Sequence, residues 1–330
     1  MTSKRERLEK TIAGEATDHV PVSLWRHWPG DDQRAADLAS STLEFQRRYD
    51  WDFVKISPSS SFCLTDFGVQ DAWVGNIEGT REYRKRVVDR SLDWTDLRVL
   101  DPRRGALGRQ LEAVKLIMGE LGEEVPAIQT IFSPLAQARN LSGQDALLTH
   151  MRTAPERVHT GLNTITDSIL RFLEELARTG VSGIYYAAQM ADYSVMSEEE
   201  YWTFGRPYDL RILEALSSKW WFNMLHIHGD GDPMFEQFVD YPVQAINWHD
   251  RDGKPDLAGG KSKFSGAVCG GISHWSPMLT GTPAQVREQA REAHTQTGGR
   301  RFILATGCVI MIATPLSNVR AVREVAGELA

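Results

Sequence analysis

Eight short apolar runs recur along the chain, and most are separated by stretches of helical period. The runs are 20–25 (VPVSLW), 52–57 (DFVKIS), 125–131 (VPAIQTI), 181–187 (VSGIYYA), 221–227 (WFNMLHI), 243–248 (VQAINW), 264–269 (FSGAVC) and 302–306 (FILAT). Segments 34–49, 108–121, 155–179, 197–219 and 282–297 have the spacing of amphipathic helices. In 155–179, Val158, Leu162, Ile165, Ile169 and Leu173 fall three and four residues apart, which puts them on one face. Strands too short and too apolar to have a wet face, alternating with helices, predict parallel pairing with helical crossovers. Eight such units predict a closed (β/α)₈ barrel, with an open doubly wound sheet as the alternative. Residues 58–107 break the pattern and read as a long excursion after the second strand, outside the ring. No low-complexity linker divides the chain, so 1–330 is expected to be a single domain.

Composition narrows the functions this fold could serve. Of 330 residues, 42% are apolar and 25% charged, the balance of a globular protein with a large core. The net charge of −7 argues against nucleic-acid binding, which needs clustered Lys and Arg, and suits small-molecule chemistry or a docking protein. No run approaches the ~20 apolar residues that span a bilayer. The basic N-terminus has no apolar segment after it, so a cytoplasmic location is expected. Three cysteines, Cys63, Cys269 and Cys308, are too few and odd in number for a disulfide framework. No glycine-rich phosphate or dinucleotide loop is present.

In a parallel barrel the chemistry sits at the C-terminal ends of the strands. The unusual residues fall there: Trp25-Arg26-His27-Trp28 after the first run, Gln189 and Asp192 after the fourth, His226-x-His228 at the fifth, His249-Asp250 at the sixth, and Gly307-Cys308 at the eighth. Residues i and i+2 of a strand share a face, so His226 and His228 can reach one ion. Cys308 is the natural third ligand, although Cys269 could substitute for it. Two imidazoles and a thiolate from separate strand ends, with a fourth position open, meet the requirement for a catalytic metal site. Asp230 or Asp250 could accept the second N–H of an imidazole. Arg26 is expected to face the pocket and hold an anionic group, because its planar fork matches a carboxylate or phosphate.

The segments RLEKTIAGEATDHVPVSLW, IFSPLAQARNLSG, MSEEEYWTFGRPYDLRILEAL and ATGCVIMIATPLSNVRAVREV, in this order, resemble members of the uroporphyrinogen decarboxylase superfamily. The resemblance implies a distorted (β/α)₈ barrel. It also sorts two branches. The decarboxylases carry a first-strand Arg-x-x-x-Arg, an aspartate after the second strand and a closing histidine. Here Gly30 stands at the second arginine, Pro58 or Ser59 near the aspartate, and Cys308 at the histidine. The zinc-dependent methyltransferases carry His-x-Cys and a closing Cys, and this chain has His226, His228 and Cys308 at those places. The resemblance therefore implies a zinc-dependent methyltransferase, with a separate corrinoid protein as a possible methyl carrier. One thiolate in place of two leaves the ion more positive and a stronger Lewis acid, which leaves room for an alcohol or water as acceptor. Arg26, His27 and His249 would orient substrate or move protons, and Trp25, Tyr186, Gln189 and Asp192 would line the pocket. The alternatives are a decarboxylase acting on a carboxylated small molecule or tetrapyrrole, and a non-catalytic binding protein.

Overall fold

The computed structural model describes residues 2–216, 219–229 and 231–330. Asp230, read from the sequence as an acceptor for a ligating imidazole, lies outside the described residues. Seven parallel strands curl into one sheet in the order β1 (Val54–Ile56), β4 (Ala127–Phe132), β5 (Gly183–Ala188), β6 (Met224–Ile227), β7 (Ala245–Trp248), β8 (Ala267–Ile272) and β9 (Phe302–Thr306). Each strand pairs with the next in the chain, and β2 (Gln70–Ala72) with β3 (Glu82–Lys85) forms a separate antiparallel hairpin inside the predicted excursion. Before the ring come α1 (Lys4–Ala13) and α2 (Ala35–Tyr49). The crossovers are α3 (Gly105–Leu121), α4 (Pro134–Ser142), α5 (Gln144–Thr153), α6 (Pro155–Leu176), α7 (Glu198–Phe204), α8 (Arg206–Glu214), α9 (Leu257–Lys263) and α10 (Pro283–Thr297), and α11 (Leu316–Ala326) follows the last strand.

The first predicted strand is reduced to a bridge, yet it occupies the eighth place in the ring. Val22 pairs in parallel with Leu304 of β9, and Leu304 N–H donates to Pro21 O at 2.8 Å. On the other side Asp52 N–H donates to Val22 O at 2.9 Å, and Ser23 Oγ donates to Phe53 O at 2.8 Å. Pro21 has no N–H, so a full ladder cannot form there. The result is a distorted barrel. The seventh strand runs three residues beyond the predicted run 264–269, through Gly270–Ile272, where small residues let the chain lie against Asp250 and Ala293.

A buried carboxylate holds the closure. Asp52 accepts from Arg7 of α1 at 2.6 Å through one oxygen and from Val22 N–H at 2.8 Å through the other. Arg7 also clasps Asp18, at 2.7 and 2.8 Å. Both members of the Arg7–Asp52 pair are buried, so removing one leaves the other's charge in the interior. Asp52→Ala should lower unfolding stability by about 3 kcal/mol, read from urea denaturation. A loss below about 1 kcal/mol, the range of an exposed ion pair, would show that the clasp does not hold the ring.

Candidate metal centre and active site

Alternation along the strands decides which side chains reach the lumen. On β5, Tyr185 points inward, stacked on His226 at 5.2 Å between ring centroids. Its neighbour Tyr186 points outward and donates to the buried carboxylate of Asp209 at 2.6 Å. Ala187, His226 and Asn247 lie side by side on β5, β6 and β7, and Cys269 adjoins Asn247 on β8. This layer carries the site.

Asn247 sets the tautomer of His226. Its amide nitrogen donates to Cys269 O at 2.9 Å and to Thr306 O at 3.1 Å, which turns its oxygen toward Tyr185 and His226. That oxygen accepts from Tyr185 Oη at 2.8 Å and faces His226 Nδ1 at 2.7 Å. An oxygen can only accept, so Nδ1 carries the proton and Nε2 offers its lone pair. His226 Nε2 lies 3.4 Å from His228 Nδ1, and Cys308 Sγ lies 3.8 and 3.9 Å from those two nitrogens. His249, at the end of β7, joins the group, and one ligand atom from each of the four residues falls within 4.8 Å of the others. Gly307 makes this approach possible, because a Cβ there would stand 2.7 Å from Trp248 O and 2.9 Å from His249 Cα.

These spacings fit a zinc-class ion. Zn–N near 2.05 Å and Zn–S near 2.3 Å at tetrahedral angles require about 3.3 Å between nitrogens and about 3.6 Å between nitrogen and sulfur. The observed 3.4 Å matches, and 3.8 and 3.9 Å need a closure of only a few tenths of an ångström. Burial, opposed by the nearby thiol, drops the His226 pKa to about 4, so the imidazole is neutral, as a ligand must be. Burial raises the Cys308 pKa, but the imidazoles of His226, His228 and His249 gathered around the sulfur outweigh it and hold the thiol well below its ordinary range. Cys269 is the reverse case: burial beside Asp250 pushes its thiol well up.

Above the cluster opens a cavity of about 270 Å³ lined by His27, Lys55, Arg81, Tyr83, Arg139, Tyr185 and Gln189 together with His226, His228 and Cys308. Of the residues read from the sequence, His27 and Gln189 line it. His27 Nδ1 sits 3.2 Å from Pro58 O, and burial lowers its pKa to about 4. Gln189 accepts from Arg139 at 2.8 Å. Four others lie elsewhere. The Arg26 guanidinium stacks over Trp28 and donates to Ile312 O at 3.1 Å, on a separate small cavity. Trp25 packs edge-on against Tyr185, off the cavity lining. Tyr186 is on the outer face, and Tyr185 takes the place expected of it. Asp192 accepts from Ser194 N–H at 2.8 Å and bridges to Pro233. Asp250 accepts from Gly271 N–H at 3.0 Å, and the acceptor that orients His226 is Asn247.

A ring of parallel strands with one cysteine and three histidines gathered at its C-terminal mouth defines a barrel protein with a candidate metal centre. The chain belongs to the uroporphyrinogen decarboxylase (URO-D) family, which matches residues 3–329. It is 24% identical over 253 residues to the methylcobamide:CoM methyltransferase MtbA of Methanosarcina acetivorans, covering 76% of this chain and 73% of that protein. With the MtbA of Methanosarcina mazei the identity is 25% over 67% of this chain and 64% of that protein. The fold is that of a methyltransferase from Methanosarcina mazei, with a TM-score of 0.85, 20% identity and 99% of both chains covered.

The unequal thiols give a direct test of the cluster's electrostatics. A thiol whose pKa is depressed keeps its reactive thiolate as pH falls, and one whose pKa is raised does not. In metal-free protein at pH 7, iodoacetamide should label Cys308 at least tenfold faster than Cys63 or Cys269, read by peptide mass spectrometry. Equal rates at the three cysteines would overturn the electrostatic reading.

Proposed function

We propose that this chain is a metal-dependent methyltransferase in which His226, His228 and Cys308 hold a zinc-like ion and a methyl group passes between a corrinoid protein, or a related carrier, and a small-molecule acceptor. The observation that carries the reading is the convergence of Cys308 with His226 and His228 at distances suited to one ion. Relatives named as methylcobamide:CoM methyltransferases support the reaction class.

The ion, when bound, lowers the pKa of a coordinated thiol, alcohol or water, so that the acceptor atom is deprotonated at neutral pH. The residues supply the rest. Asn247 locks His226 so that only Nε2 faces the cluster. The Cys308 thiolate leaves a net positive site, because two imidazoles are neutral and one sulfur cancels only part of a divalent charge. His226, His228 and Cys308 would hold the ion, and His249, whose ring lies in the same group, would take up the proton an acceptor releases. His27 donates to Pro58 O and presents its other nitrogen as an acceptor that orients the substrate.

The decarboxylase alternative has less support. Arg26, the one first-strand arginine it would use, is tied to Ile312 and Trp28 off the main cavity, and Gly30 and Cys308 stand where its other polar groups belong.

Protein purified without a nickel column should contain close to one equivalent of zinc-like metal by elemental analysis. Cys308→Ser should lose most of it while keeping the circular dichroism of the wild type. The wild type should demethylate methylcobalamin in the presence of a thiol or alcohol acceptor, and the variant should be slowed at least a hundredfold, in line with loss of a metal site. Full metal occupancy in Cys308→Ser would end the proposal.

A further inference from the structure

The small cavity lined by Arg26 lies between α2, the residues around the first apolar run and β1. Thr42 and Gln46 stand one turn apart on α2, and Trp51 follows that helix. All three line the cavity, and they are 6%, 5% and 1% exposed. Gln46 Nε2 donates to Trp51 O at 2.9 Å, which commits one end of the carboxamide and leaves its oxygen over. Among the described residues no group bonds to Thr42 Oγ1, Gln46 Oε1 or Trp51 Nε1. Leaving one buried polar atom without a partner is costly, and three around one cavity call for a common cause. The cavity, about 20 Å³, has room for one water-sized molecule.

We propose that this cavity is a binding site for a single buried water, held jointly by Thr42, Gln46 and Trp51. The set of polar groups chooses the ligand. An indole N–H only donates and a carboxamide oxygen only accepts, while a hydroxyl does either. The ligand must therefore donate and accept at once. An anion would face the Gln46 oxygen, and a cation would face the indole N–H and Arg26, which lines the same cavity. Water meets all three groups with the number of bonds usual for an internal site, about three. The site adjoins the corner of the barrel where Pro21 prevents a full ladder, and where Asp52 N–H donates to Val22 O at 2.9 Å. The water joins α2 to the segment that enters β1, so it takes part in closing the ring where strand pairing is reduced. The site does not depend on the metal reading.

A crystal structure of the protein as purified, at a resolution that shows ordered solvent, should place one round peak within hydrogen-bond distance of Thr42 Oγ1, Gln46 Oε1 and Trp51 Nε1. Thermal unfolding gives an independent sign. Thr42→Val keeps the shape and the β-branch of the side chain, so helix propensity hardly changes. With water bridging the three groups, valine takes away one of its partners, and the melting temperature should fall by about 2 °C or more. An unpaired hydroxyl in a dry cavity gives the opposite result: valine removes a polar atom that has no partner, and the melting temperature rises. Thr42→Ser keeps the hydroxyl and should retain the solvent peak, which Thr42→Val should weaken or lose. A cavity without density, density too long for one water, or a raised melting temperature in Thr42→Val overturns the proposal.

Discussion

The carboxamide of Asn247 is where fold and chemistry meet. Its two N–H donors are taken by the backbones of Cys269 and Thr306, and its oxygen receives Tyr185 and His226. Four neighbouring strands are thus tied through one buried side chain. An unsatisfied amide in a barrel core would cost more than the net gain of a single bond, so all four contacts are maintained together. The orientation that satisfies the β8 and β9 carbonyls is the one that makes His226 present Nε2 to Cys308. Leucine at 247 would fill the space but leave two carbonyls and an imidazole without partners.

The barrel was legible because it is written in local pattern. Seven of the eight apolar runs became strands of the sheet, and the eighth, held back by Pro21, still bridges β9 to the start of β1. The convergence of His226, His228 and Cys308 was legible for a related reason: strand ends of a parallel barrel share one rim. Errors arose where the sequence does not state which face is inward. Tyr185 and Tyr186 are equivalent in pattern, and only the curl of the sheet sends one to the lumen and the other to Asp209. Arg26 and Asp192 lie just past strand ends, where parity no longer constrains direction, and each found a local partner instead. Lys55 and Asn247 were passed over because a single polar residue inside an apolar run reads as noise. Their burial, visible only in three dimensions, makes them meaningful.

The excursion between β1 and α3 contributes to the site as well as covering it. Its hairpin brings Arg81 and Tyr83 to the cavity, and Gly79 packs so close to His27 that a Cβ would lie 2.7 Å from the His27 Cβ. Gly79 also has a positive φ of 84°, which disfavours any residue with a side chain. Ile312 N–H donates to Ile77 O at 2.9 Å, joining the hairpin to the segment that follows Cys308. The wall nearest His27 is therefore set by a turn outside the regular ring, which is where barrel proteins vary their specificity.

The charges of the site follow one order imposed by burial. His226 and His27 are kept neutral, Lys55 is pulled toward neutrality, and Cys308 alone resists, because imidazoles surround its sulfur. The Cys308 sulfur is a negative group in the cavity that Lys55 and Arg139 also line, and its charge favours the ammonium form of Lys55 against burial. A divalent ion bound there would reverse the sign at the sulfur and remove that support.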